Sequence, residues 1–127
     1  MKKIIVMDDE AAIRELLSLG LRAAGYAVEA VSSTQDLWDS IGREKPAVIL
    51  MDAGMPGEDG ISICRDIRRN EATKNIPVVI ITAFNDDITR NDAFLFGATA
   101  FVTKPFTIPA VLSVVSECVN ASSSFEK

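Results

Sequence analysis

Three unbroken apolar runs constrain this chain more than any other feature: Ile4-Ile5-Val6-Met7, Ala47-Val48-Ile49-Leu50-Met51 and Val78-Val79-Ile80-Ile81. A strand wetted on one face alternates apolar and polar residues, so a run that is apolar throughout needs cover on both faces. The segments between them carry that cover at helical period. Ala11 to Ala24 holds Ala12, Ile13, Leu16, Leu17, Leu21 and Ala24, and Gly25 closes it. Ser32-Ser33-Thr34 offers N-caps for a helix with Leu37, Trp38 and Ile41 that stops before Pro46. Gly60 begins a third helix with Ile61, Ile63, Cys64 and Ile67, and a fourth is expected from Asp86 to Phe96, closed by Gly97. Ala27 to Val31 and Ala100 to Thr103 read as two further strands. A last helix starts near Thr107, takes Pro109 in its first turn and runs to about Val119.

Strand and helix thus alternate along the whole chain, with no repeat, linker or low-complexity segment. The pattern predicts a doubly wound α/β fold of the flavodoxin-like (βα)5 type. Its five-stranded parallel sheet has the order 2-1-3-4-5, with helices on both faces. The 127 residues suffice for one domain. That domain is expected over residues 1–121, with a polar tail over 122–127.

Composition removes several classes of function. The chain has no histidine, which excludes Ser-His-Asp and Cys-His catalysis and His-ligated zinc. Thirteen Lys and Arg against eighteen Asp and Glu leave a net charge of −5, which argues against nonspecific binding to nucleic acid or anionic membranes. Cys64 and Cys118 both fall in apolar-periodic segments and read as buried free thiols. The amino-terminal Lys2-Lys3 and apolar run lack a signal-peptide cleavage segment, so the run reads as a first strand in a cytoplasmic protein.

Functional groups of an open parallel sheet collect beyond the carboxyl ends of its strands. Here those ends bring together Asp8 and Asp9, Asp52, Thr82 and Lys104. Clustered carboxylates repel one another and raise one another's pKa unless positive charge lies between them. A hard divalent cation answers that need, Mg2+ best of all because it keeps waters and bridges to phosphate. One metal, one ammonium and one hydroxyl around anionic oxygens form a phosphoryl site. No glycine-rich cradle for a nucleotide accompanies them, so the phosphoryl group is expected on the protein itself. Asp52, alone at its strand end, is the candidate nucleophile, and Asp8 and Asp9 the metal-binding pair.

These residues resemble the receiver domain of bacterial two-component response regulators, including the stand-alone chemotaxis type. The likeness covers residues 3 to 119. It rests on Val6-Met7-Asp8-Asp9-Glu10, on Ile49-Leu50-Met51-Asp52 with Met55-Pro56 and Gly60, and on Ile80-Ile81-Thr82-Ala83. The closing signature is Gly97-Ala98, Phe101 and Thr103-Lys104-Pro105-Phe106. The resemblance implies that Asp52 accepts a phosphoryl group from a sensor histidine kinase or histidine phosphotransfer protein. It implies Mg2+, with Mn2+ as the alternative ion, held by Asp8, Asp9, Asp52 and the Gly54 carbonyl. It further implies that Thr82 swings toward the phosphoryl group, that Lys104 pairs with it, and that Phe101 turns inward. The Lys104-Pro105 bond is expected to be cis. The surface of the fourth helix, fifth strand and last helix would then change shape toward a downstream protein, a severed output domain or a second copy.

Such a protein is a phosphoacceptor rather than a conventional enzyme. Gly54 and Phe84 occupy positions that influence the acyl-phosphate lifetime in this family, and Phe84 either shields the bond or lies on the loop surface. Ala93-Phe94-Leu95-Phe96 sweeps most of a helix circumference, so part of it must be exposed. A degenerate receiver acting as a phosphorylation-independent interaction module is the alternative. A haloacid-dehalogenase-like phosphatase would need a second Asp two residues after its nucleophile, where this chain has Gly54. A flavodoxin would not place three acids against an FMN phosphate.

Overall fold

The structure is a computed structural model that describes residues 1–55, 59–83, 91 and 94–125. Five parallel strands form one sheet in the order β2-β1-β3-β4-β5. They are β1 (Lys3–Met7), β2 (Ala27–Val31), β3 (Val48–Asp52), β4 (Val78–Thr82) and β5 (Ala100–Thr103). Four helices are described: α1 (Ala11–Ala23), α2 (Thr34–Arg43), α3 (Gly60–Arg69) and α4 (Ile108–Phe125). The helix expected from Asp86 to Phe96 falls largely outside the described residues; Asn91, Phe94 and Leu95 within it are helical. Among the described residues no helix is long and apolar enough to cross a membrane.

The strand period of two divides the apolar runs between two cores. Ile5, Met7, Ile49, Met51, Val78 and Ile80 face α2 and α3, where Leu37, Ile63, Cys64 and Ile67 cover them. Their neighbours Ile4, Val6, Val48, Leu50, Val79 and Ile81 face α1 and α4, under Leu17, Leu21, Val111 and Val115. Every residue of β1, β3 and β4 is buried, as continuous apolar runs require. The register places Met7 opposite Met51, Met51 opposite Ile80, and Ile80 opposite Phe101. The carboxyl ends of these four strands are therefore level with one another.

Local chemistry sets the helix ends. Ser33 caps α2 by accepting the Asp36 N–H at 3.2 Å, and Asp59 caps α3 through the Ile61 N–H at 3.1 Å. Two boundaries differ from expectation. β3 includes Asp52, because its pairing with Ile81 of β4 continues through that residue. The last helix continues past Val119 to Phe125, since Asn120 to Ser124 contain no Pro or Gly to stop it. Both cysteines are free and buried, as expected.

Candidate acidic phosphoryl site

Asp8 follows the last residue of β1 and Asp52 ends β3, so the β1–β3 pairing brings the two acids side by side. Only 2% of Asp8 and 6% of Asp52 is exposed, which places both carboxyls out of bulk water. Lys104, just beyond β5, extends its ammonium between them, 3.1 Å from Asp52 Oδ2 and 3.4 Å from Asp8 Oδ2. The backbone aims this lysine: its N–H donates to the Thr82 carbonyl at 2.9 Å, and the Lys104-Pro105 bond is cis.

The remaining oxygens of the two acids take backbone donors. Gly54 N–H donates to Asp52 Oδ1 and Glu10 N–H to Asp8 Oδ1, each at 2.8 Å. Asp9 and Glu10 are exposed, and their carboxylates lie with that of Asp8 inside a 4.8 Å cluster. Burial raises the Asp8 pKa above the ordinary carboxylate range, and the facing Asp52 charge adds to it, against the opposing pull of Glu10 N–H and Lys104. Burial also works against the Lys104 charge, but Asp52 and Asp8 outweigh it and hold that ammonium above the ordinary lysine value. One ammonium thus serves two buried carboxylates, with two more acids at the rim.

An all-oxygen donor set with surplus negative charge suits a hard divalent cation. Thr82 is fully buried at the end of β4, opposite Thr103 and one residue past Ile81, the partner of Asp52. Phe101 is half-buried on β5 and packs against the core shared with α2 and α3. The seven site residues read from the sequence therefore divide. Asp8, Asp9, Asp52, Gly54 and Lys104 gather at the acidic pocket, Thr82 lies at the adjoining strand end, and Phe101 sits lower on β5. Phe84 lies outside the described residues.

Three residues at the pocket went unassigned in the sequence. Glu10, the residue that precedes α1 at its N-cap, joins the acidic cluster. Arg14, one turn into α1, donates to the Asp8 carbonyl at 2.7 Å and ties the acidic loop to that helix. Gly60 lets α3 begin directly against the phosphoryl-site strand. A Cβ there would lie 2.8 Å from the Asp52 carbonyl oxygen and 2.9 Å from Ala53 Cα. Only the i,i+4 relation of Glu10 to Arg14 and a glycine opening a helix hinted at these roles.

Known proteins resemble this chain in sequence and fold. The sequence pattern of the response regulator receiver domain matches residues 4–116. The phosphate regulon transcriptional regulatory protein PhoB of Pseudomonas aeruginosa is 37% identical over 106 residues. Those residues are 84% of this chain and 46% of that protein, so the chain spans just under half of its relative's length. A crystal structure of a putative response regulator from Chloroflexus aurantiacus superposes with a TM-score of 0.88 at 28% identity, covering 94% of this chain and 98% of the other. The chemotaxis protein CheY4 of Vibrio cholerae superposes equally well, with a TM-score of 0.88 at 25% identity over 93% of this chain and 98% of its own. The sheet order, the acids at its carboxyl edge and a pattern spanning β1 to the middle of α4 lead to one assignment: this chain belongs to the response regulator receiver domain family.

Proposed function

We propose that the chain is a phosphoryl-accepting switch of a two-component system in the cytoplasm, with Asp52 as acceptor and residues 1–121 as the switching unit. The observation that supports this reading best is the Lys104 ammonium shared between two buried carboxylates, 3.1 Å from Asp52 and 3.4 Å from Asp8. It is a ready counter-charge for a group that brings about −1.5 to −2 of charge and three acceptor oxygens.

In the proposed transfer, an Asp52 oxygen attacks the phosphorus of a partner's phosphohistidine. The P–N bond breaks as the O–P bond forms, and the imidazole leaves with the electron pair and takes a proton from solvent. Gly54 N–H holds the Asp52 carboxylate in orientation through Oδ1. Lys104 exchanges its Asp52 contact for a phosphoryl oxygen. Mg2+, or Mn2+, on Asp8, Asp9, Asp52 and the Gly54 carbonyl, with Glu10 beside them, would neutralise phosphoryl oxygens when bound. The Thr82 hydroxyl then donates to the phosphoryl group, and the Phe101 ring follows into the space it leaves. Such motion alters the surface formed by the helix expected over 86–96, β5 and α4, which meets a downstream protein, a severed output domain or a second copy. Phe94 and Leu95, 46% and 77% exposed, belong to that surface.

The test is intact mass after incubation with acetyl phosphate and Mg2+. Wild type gains one phosphoryl group and Asp52→Asn gains none. No gain in wild type, with no beryllofluoride complex, would leave the phosphorylation-independent interaction module in its place.

A further inference from the structure

The opposite end of the sheet carries a second concave feature that the phosphoryl reading does not use. A cleft of about 900 Å3 opens where the strands begin, bounded by Lys3 of β1 and by the residues that lead into β3, β4 and β5. That volume lies within the roughly 300–1,000 Å3 of ligand sites. Among the described residues five cations line it (Lys2, Lys3, Lys45, Arg68 and Lys74) against one acid, Glu44. In a chain of net charge −5, this is a strong local inversion of sign.

The cations divide by what they already hold. Lys3 Nζ donates to the Ser40 and Glu44 carbonyls at 2.7 Å each, and Arg68 is occupied by carbonyls of Gly97, Lys74 and Ile76. Lys2, Lys45 and Lys74 stand exposed at the rim, and among the described residues Lys2 and Lys45 have no acid within ion-pair distance. Lys74 pairs with Glu71.

A compact phosphate needs converging donors or an open guanidinium fork, and the Arg68 fork is filled. Glu44, the residue that caps the carboxyl end of α2, also lines the cleft, and its carboxylate repels concentrated negative charge. Separated ammonium groups over an apolar wall of Pro46, Pro77 and Val119 suit carboxylates spaced along an extended chain.

We propose that this cleft binds an extended acidic peptide segment of a partner protein, with its carboxylates on Lys2, Lys45 and Lys74 and apolar side chains against the prolines. The site is independent of phosphorylation at Asp52. The test is fluorescence anisotropy of a fluorescein-labelled peptide alternating Asp, Leu and Glu, titrated with the full chain. Saturable binding at low salt that weakens toward about 0.15 M supports the proposal. Lys2→Glu/Lys45→Glu then weakens it about tenfold. Arg69→Glu, an exposed charge reversal outside the cleft, changes it less than about twofold. Three results overturn the proposal: no saturable change at low salt, an equal loss in Arg69→Glu, or inorganic triphosphate displacing the probe more tightly than unlabelled peptide.

Discussion

The two ends of the sheet use buried charge in opposite ways. At the carboxyl ends, charge faces charge: Asp8 and Asp52 share a single ammonium, and burial leaves Asp8 harder to ionise than an ordinary aspartate. At the amino ends, cations face backbone. Arg68 joins the Gly97 carbonyl at 2.9 Å to that of Ile76 at 2.6 Å, while its other donor reaches Thr99 Oγ1 at 3.2 Å. Lys3 closes the carboxyl end of α2 and pairs with Glu29, which the Ser40 hydroxyl, Arg43 and Lys3 together hold below the ordinary glutamate range. The inner cations of the amino end, Lys3 and Arg68, are satisfied and hold elements in place. The carboxyl end keeps an excess of negative charge, which costs stability and leaves the site ready for positive charge or a phosphoryl group.

Neutralising one charge at each end should therefore move stability in opposite directions. Arg68→Met strips the carbonyls of Gly97, Ile76 and Lys74 of a donor and should cost about 2–4 kcal/mol in urea denaturation. Phosphorylation of the remaining folded protein should persist. A loss of phosphorylation at full stability would break the comparison.

Gly60→Ala tests how closely the carboxyl end is built. The new Cβ meets backbone on β3 and the residue after it, which cannot turn aside as a flexible side chain could. Displacement of α3 should cost about 1–3 kcal/mol and slow phosphorylation from acetyl phosphate, because Asp52 lies at the contact.

Asp8→Asn should have the smallest effect and the reverse sign. In metal-free buffer at neutral pH it should raise the denaturation midpoint, because it removes a carboxylate whose charge burial and the facing Asp52 disfavour. The pH dependence follows from the direction of that shift. A carboxyl whose folded pKa is raised favours the fold when protonated, and this advantage is lost as pH rises through the folded value. The wild type should therefore approach the variant as pH falls. A variant less stable than wild type at neutral pH would show that the pairing with Lys104 outweighs burial.

Much of this molecule was legible in its residues. Continuous apolar runs at Ile4–Met7, Val48–Met51 and Val78–Ile81 required a sheet covered on both faces, and strand alternation then divided them between two cores. Polar residues ending those runs marked Asp8, Asp52, Thr82 and Lys104 as neighbours before any coordinates. Arg68 gave no such sign. An arginine in the last turn of an amphipathic helix reads as a solvated charge, and its carbonyl partners are 6 to 29 residues away in sequence. The extent of the last helix was equally hidden, since a polar serine run satisfies a helix or a tail alike.

The sequence by itself determined which residues would stand at the strand ends and that those ends would be acidic, because hydrophobic period and chain order are local properties. Only the tertiary structure decided how those charges are shared: one ammonium between two carboxyls, Glu10 drawn into the acidic cluster, and the cations of the far end split between carbonyls and solvent. Such sharing depends on distances of a few ångströms between segments far apart in the chain, and Coulomb and hydrogen-bond energies are set at that scale.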